Sequence, residues 1–556
     1  MKRLKTSSLL VLSLLSLSPG MAFASAGFNS GVELQTVQPS ISSPAPPPIP
    51  KIKRKGLTPS PALSGEKINV KAWKITGATE IPLKNLMKTL PIGAMTLSEI
   101  REKARMIEKF YASEGFPFVR AVIPPQKIEN GTVLVMVIEP KYGKISVHNQ
   151  SRVGNGLVNR ILGLSPGAPL NGNELDRSVI TLDSLPSTHV VTTLSAGAAP
   201  GTSDLDVDLL PAPVVTGSVG IDDFGDAYTG GMRLNATAVV GDPVFGGDSF
   251  SVAATTSGGF DYAKIAYGAL LSGSGTRLDA FYSAFDYRIG EGLTPIGYGA
   301  NTSVLAALGT AGQGQTASLT VTQPIVLRTG ASLTLAVSDD FYVLSDTFSQ
   351  AAQARNDRNL NVTTASLSGF LSDPLGSTSG TVAFAPYFAT LYGGSGAAND
   401  PYADAAGFRT VERGIFDRKL TLPGFGNSFD LSANGQIASG LLDPVEQFVV
   451  GGPSSVRGLP VAVLFGNEGF LASATLAHQF PTINGHQWTI SGFTDSAGLG
   501  YSGAFYQMSS VGTGAVWSGP FGWTASFSLA VPVGPLPAVV GAVSPVEAWG
   551  ALAKNF

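Results

Sequence analysis

The sequence contains no cysteine and only four histidines. Without cysteine there is no disulfide framework and no thiolate metal site. His148, His189, His478 and His486 are scattered, with no metal-ligand spacing between them. Charge is scarce as well. Asp, Glu, Lys and Arg make up 13% of the 556 residues, and the net charge is −3. That leaves no bulk basic surface for nucleic acid, and a soluble protein so poor in charge is hard to keep in solution. Yet, beyond the N-terminus, no apolar run approaches the ~20 residues of a membrane helix. What is present is hydrophobicity in dispersed form, with 44% hydrophobic residues and a mean hydropathy of +0.21. A transmembrane β-barrel spreads its apolar residues in this way, because only every second residue of a strand faces lipid. A secreted β-sandwich or β-helix is the alternative for the same composition.

The first residues, MKRLKTSSLLVLSLLSLSPGMAFASAG, have the layout of a secretory signal peptide. Lys2, Arg3 and Lys5 precede a short apolar stretch from Leu9 to Leu17. Ala22-Phe-Ala24 and Ala24-Ser-Ala26 both offer small-x-small cleavage sites. A signal peptide is therefore expected over 1–26, and export from the cytoplasm with it. Residues 27–66 form an N-terminal segment and linker. Its first part, 27–43, is short and polar with a weak helical pattern. Its second, PAPPPIPKIKRKGLTPSPA, is proline-rich and basic, and is expected to be an extended, solvated spacer.

The texture changes at Ile68. INVKAWKITG alternates as a strand, and IPLKNLMKTL is expected as a short helix. Thr96 and Glu99 form a capping box for a second helix that ends at Gly115. Leu97, Ile100, Ala104, Ile107 and Tyr111 share one face of it. Two strands follow, FVRAVIPPQ and GTVLVMVIEP, joined by an Asn130-Gly131 turn. The same order then recurs. YGKISVH is a strand, GNGLVNRILGL and NGNELDRSVITLDSLP are helices, and THVVTTLSAG and SDLDVDLLP are strands. Two copies of one small α+β unit are expected, at 67–140 and 141–213.

From 214 to 556 no amphipathic helix is evident, and short alternating runs dominate. Ala317, Leu319 and Val321 alternate with Thr316, Ser318, Thr320 and Thr322. Leu333, Leu335 and Val337 alternate with Thr334 and Ser338. Trp523, Ala525, Phe527, Leu529, Val531 and Val533 alternate with Thr524, Ser526 and Ser528. One face is apolar and the other carries hydroxyls, as lipid outside and water inside require. At roughly 20 residues per strand and connection, this region predicts on the order of 16 strands. The terminal Phe556 matches a common ending of outer-membrane barrels.

Catalytic and metal signals fail in context. Gly163-Leu-Ser165-Pro-Gly167 matches a nucleophile elbow, but it follows a helix, and the proline after Ser165 removes an oxyanion-hole N–H. Asp204, Asp206 and Asp208 resemble a calcium loop, but they alternate with Leu205 and Val207, which reads as a half-exposed strand. Asp222, Asp223 and Asp226 read as a polar rim. No cofactor site and no catalysis are expected.

One charged pair stands out. Residues 451–470 read GGPSSVRGLPVAVLFGNEGF, with Arg457 and Glu468 as the only charges. In HQWTISGFTDSAGLG, period 2 puts Trp488 and Ile490 on one face, and Phe493 and Asp495 on the other. Asp495 is thus directed at the lumen and is a natural counter-ion for Arg457, through a bidentate guanidinium–carboxylate pair. A solvated loop arginine is the alternative.

These motifs resemble the transporter partner of two-partner secretion systems, a family of haemolysin secretion and activation proteins within the outer-membrane assembly-factor superfamily. Gly451-Gly452-x-Ser-Ser-Val456-Arg457-Gly458 resembles the family's VRGY or VRGF loop signature, with Leu459 in place of the aromatic. Gly466-Asn-Glu-Gly469-Phe470 resembles its G-D-x-G-Y continuation, with Asn467 for aspartate. Phe493-Thr-Asp495 resembles its F-x-D-x-G strand, with Gly498 one residue late. Pro124-Pro125-Gln126, Gly131 and Glu139 resemble the first periplasmic POTRA module, and the repeat resembles the second.

The resemblance implies a 16-stranded outer-membrane barrel over 214–556, behind two periplasmic POTRA domains. It implies a loop after the eleventh strand that folds into the barrel, where Arg457 pairs with Asp495. It implies export of a secreted partner protein, recognised through its N-terminal secretion domain by the POTRA domains. Outer-membrane lipid and the barrel-assembly machinery that inserts the protein are the other implied partners. An assembly factor that inserts other barrels and a passive porin are the alternative functions.

Overall fold

A computed structural model describes residues 29–38, 51–54, 67–83, 86, 89–290, 309–349, 354–392, 402–461, 463–501, 503–541 and 543–556. The signal-peptide assignment lies outside them, as do Lys84, Asn85, Met87 and Lys88 of the expected IPLKNLMKTL helix.

Sixteen antiparallel strands close into a barrel, from Val215–Asp222 through to Glu547–Asn555, and the first strand pairs with the last. The alternation seen in the sequence sorts the two faces. Leu319, Val321, Leu335, Val337, Phe527 and Val531 are exposed on the outside. The inside is unlike an open aqueous pore. Phe260, Tyr262, Phe285, Tyr287, Tyr342 and Tyr387 form a buried lumenal cluster with Leu34, Val37 and Val445, which come from segments that enter the barrel.

Two small α+β units precede it. In the first, the helix Leu97–Ser113 carries the predicted capping box and buries Ile100, Ala104, Ile107 and Tyr111 against a three-stranded sheet, Ala72–Thr76, Thr132–Ile138 and Arg120–Val122. The single strand expected at INVKAWKITG is two, Ile68–Val70 and Ala72–Thr76, which pair with different partners. Asn130 and Gly131 both have positive φ, 53° and 74°, the geometry of a type I′ turn. The motif residues of this unit have structural work. The Gln126 amide bonds both the N–H and the C=O of Leu134, at 2.7 and 2.8 Å. Glu139 accepts from Tyr111 at 2.5 Å, from the backbone of Thr79 and Glu80 at 2.9 and 3.0 Å, and from the Thr79 hydroxyl. Burial by itself raises the Glu139 carboxyl, but these hydrogen bonds outweigh it and hold the group below the usual carboxylate range.

The second unit packs helices Asn155–Leu162 and Gly172–Asp183 on strands Lys141–Asn149, Thr188–Ala196 and Thr202–Pro211. Asp204, Asp206 and Asp208 alternate with buried Leu205, Val207 and Leu209, as a half-exposed strand requires. This unit sits on the near-end turns of the barrel, where the Thr329 N–H donates to Asp176 at 2.8 Å.

Two features of the 27–66 segment differ from expectation. Lys51–Arg54 is not a free solvated spacer: it adds to the second unit's sheet as a parallel strand beside Thr188–Ala196. Ser30–Gln35 forms a six-residue helix within the barrel, capped by Asn29. A helix this short is not stable alone; its tertiary contacts hold it.

Candidate functional site: an inward-folded loop and a lumenal plug

The eleventh strand, Asn427–Ala438, and the twelfth, Glu468–Gln479, are neighbours in the barrel, and residues 439–467 between them fold into its interior. The base of this excursion is a hairpin of Phe448–Val450 and Leu464–Gly466. Gly466 permits its approach to the wall, since a Cβ there would lie 2.1 Å from the Gly500 carbonyl oxygen.

At the tip, Val456 and Leu459 are fully buried against the inward-facing Leu471, Ala497, Leu499 and Met508. Leu459, at the usual aromatic position, is thus an apolar anchor. Arg457 lies between them and meets the thirteenth strand, Gln487–Tyr501. Its Nε and Nη2 donate to the two Asp495 carboxylate oxygens, at 2.9 and 2.5 Å, and its backbone N–H donates to Oδ2 at 3.1 Å. The Asp495 side chain is completely buried and that of Arg457 is 19% exposed. Ser510 donates to Asp495 Oδ2 at 3.0 Å, and Ser473 bonds both partners. The guanidinium carbon stands 3.3 Å from the centre of the Phe493 ring, a cation–π contact. The Arg457 carbonyl accepts from Trp549 Nε1 at 2.8 Å. Gly458 leaves no room for a side chain, since a Cβ would lie 2.7 Å from both the Ser510 Cβ and the Val531 carbonyl carbon.

The structure thus brings Val456, Arg457, Gly458, Phe493 and Asp495 together. It does not bring Gly498. Being an odd number of residues from Asp495, Gly498 points to the outer face, where Phe470 and Phe505 stack across it with centroids 6.2 Å apart. Asn467, at the usual aspartate position, accepts from the Leu442 N–H at 2.9 Å; this contact needs only an amide oxygen.

Sequence reasoning missed a second set of lumenal charges. Arg413 donates to Glu446 Oε2 at 2.6 Å and to Gln436 at 2.8 Å, fixing the loop's base. Arg358 contacts Asp346 at 2.7 Å, Asp443 at 2.8 Å and Ser30 of the plug helix at 3.1 Å. Asp346 also accepts from the Ser30 N–H at 2.8 Å and from Tyr287 at 2.8 Å. Asp222, read as rim, pairs with Arg233 at 2.8 Å in a buried lumenal bridge. For Arg413, Arg358, Asp346, Asp222 and Arg233 the available signal was strand parity, since they occupy inward strand positions; Asp443 and Glu446 lie in the 439–467 loop and carry no such signal.

Comparison with known proteins matches residues 68–140 to the POTRA domain, ShlB-type, and residues 393–515 to haemolysin secretion/activation protein ShlB/FhaC/HecB. The heme/hemopexin transporter protein HuxB of Haemophilus influenzae is 24% identical over 417 residues, 72% of this chain and 70% of that one. Among solved structures, CdiB from Escherichia coli superposes with a TM-score of 0.69 at 19% identity, covering 90% of this chain and 93% of that one. CdiB from Acinetobacter baumannii gives 0.64 at 15% identity, covering 89% and 91%. In its first POTRA domain and in residues 393–515 the chain is thus similar to the ShlB/FhaC/HecB haemolysin secretion/activation proteins, and it is an outer-membrane transporter barrel with its POTRA domains in the periplasm.

Proposed function

We propose that this transporter recognises its exoprotein by strand addition to a POTRA sheet edge, and that the Arg457–Asp495 pair holds the export pore in its resting form. The observation that carries the proposal is the inward loop, docked on a fully buried carboxylate by a bidentate arginine. Such a pair fixes position as well as supplying energy. A pore of this kind has no nucleotide at hand, so folding of the partner outside the cell supplies direction.

Main-chain pairing suits an unfolded substrate, whose N–H and C=O groups are free. The partner's N-terminal secretion domain is the part proposed to bind. In the second POTRA unit the Thr188–Ala196 edge is already taken by the chain's own Lys51–Arg54 strand, so an incoming strand either displaces that segment or adds elsewhere. Residues 1–26 are proposed as the signal peptide, and the barrel-assembly machinery as the agent of insertion.

The test is binding of an N-terminal fragment of the exported partner protein to the full-length transporter in detergent. Replacing Thr192 or Leu194 by proline removes a strand donor at that edge. Loss of binding in these variants, with the barrel intact, supports edge addition; unchanged binding by both variants refutes it at that edge.

A further inference from the structure

The plug helix carries a glutamate, Glu33, that is 1% exposed inside the barrel. Its neighbour is another carboxylate, Asp226, 2% exposed, from the connection between the first two barrel strands at the far, extracellular end. The Thr229 hydroxyl lies 2.8 Å from Glu33 Oε1 and 3.0 Å from Asp226 Oδ2. A hydroxyl has one hydrogen, so it donates to only one of these oxygens at a time. Asp226 has its own donors, the N–H groups of Tyr228 and Thr229 at 2.5 and 3.0 Å. The nearby cation, Arg233, is bidentate on Asp222, at 2.8 and 3.2 Å. Tyr287, from the fifth strand, Arg277–Arg288, is a further titratable neighbour of Glu33, and it donates to Asp346; Asp443 and Glu446, on the segment packed against the plug helix, pair with Arg358 and Arg413. Two buried carboxylates that face each other with one shared hydroxyl require a proton between them.

We propose that Glu33 and Asp226 form a proton-sharing latch that keeps the plug helix in the barrel, so that plug release is favoured as external pH rises. Burial and the Asp226 charge hold the Glu33 carboxyl well above the ordinary range. Released into water, Glu33 returns to that range. The plugged state therefore binds more protons than the released state. Its extra stability is complete below the released-state pKa and is lost as pH rises through the plugged-state pKa. The latch sits at the extracellular mouth, so the pH it senses is that of the medium.

Pore conductance of the full-length protein in planar bilayers tests this without any secreted partner, so its outcome is independent of the export proposal. Open probability of the wild type is expected to rise by up to about tenfold per pH unit as pH rises through the plugged-state titration of Glu33. Glu33→Gln keeps a hydrogen-bond donor toward Asp226 and cannot ionise; its open probability is expected to stay low and flat. Asp226→Asn removes the facing charge but leaves Glu33 buried, and is expected to move the rise to lower pH. A second readout uses the absence of native cysteine. Val37→Cys places a thiol in the lumenal cluster, and its labelling by an impermeant maleimide, relative to an exposed cysteine control, should rise with pH only when Glu33 is present. A wild-type profile independent of pH overturns the proposal, as does the same pH dependence in Glu33→Gln.

Discussion

Removing the arginine at the loop tip has a consequence that the geometry sets in advance. In Arg457→Ala, the completely buried Asp495 carboxylate keeps the Ser473 and Ser510 hydroxyls and loses its counter-ion and three N–H contacts shorter than 3.2 Å, less the backbone donor that alanine retains. Deleting one partner of a buried ion pair costs about 3–5 kcal/mol. At 1.4 kcal/mol per factor of ten, the docked fraction relative to the released one falls by roughly two to three and a half powers of ten. The barrel should still form, since the loop lies outside the strand ladder. The assay is protease cleavage within 439–467 on intact cells, read beside heat-modifiable migration as a check on the barrel. Arg457→Ala should be cleaved rapidly and should lose export, whereas Arg457→Lys, with charge but no planar fork, should fall between. In a double-mutant cycle with Asp495→Ala, the two losses should be far from additive. Protection and export at wild-type level in Arg457→Ala would falsify the anchor assignment.

Three further outcomes follow from single contacts. Gly458→Ala puts a Cβ 2.7 Å from the Val531 carbonyl carbon, so the tip should fail to seat and loop cleavage should match that of Arg457→Ala; slow cleavage shows that the wall yields. Trp549→Phe keeps the ring contact with Phe224, whose centroid is 6.4 Å away, but loses the bond to the Arg457 carbonyl, about 1 kcal/mol; loop cleavage should accelerate by roughly fivefold, and no change places the anchor elsewhere. In the first POTRA unit, Glu139 has a depressed folded-state pKa. Its contribution to stability is full above the unfolded-state pKa and is lost as pH falls through the folded one; melting of that unit, followed by amide exchange in the full-length protein, should show an acid-side loss that Glu139→Gln removes.

How much of this was legible from residues alone depends on what each element leaves in the sequence. The barrel and both α+β units leave side-chain periodicity, because one face of each strand or helix must differ from the other. The capping box at Thr96 and Glu99 and the Asn130-Gly131 turn are local rules and read directly. Arg457 and Asp495 were visible because one charge stood in an uncharged stretch and the other on the lumenal parity of its strand. The plug helix left only the weak helical pattern of 27–43. Six residues carry less than two turns of periodicity, and its stability comes from Asp346, Arg358 and Thr229, which are distant in sequence. The Lys51–Arg54 strand was invisible, since main-chain pairing places no demand on side-chain type. Gly498 shows the opposite limit. A motif glycine displaced by one residue changes face, because a strand alternates strictly, and only the register fixed by Phe470 pairing with Gly498 reveals it.

The most direct measurement is export itself. The secreted partner protein should be co-expressed with wild type, with Arg457→Ala and with no transporter, and quantified in the medium and on the cell surface. Export is expected only with the wild type, with the Arg457→Ala barrel present in the outer membrane but silent. Equal export in the absence of the transporter contradicts its assignment as the route to the cell surface.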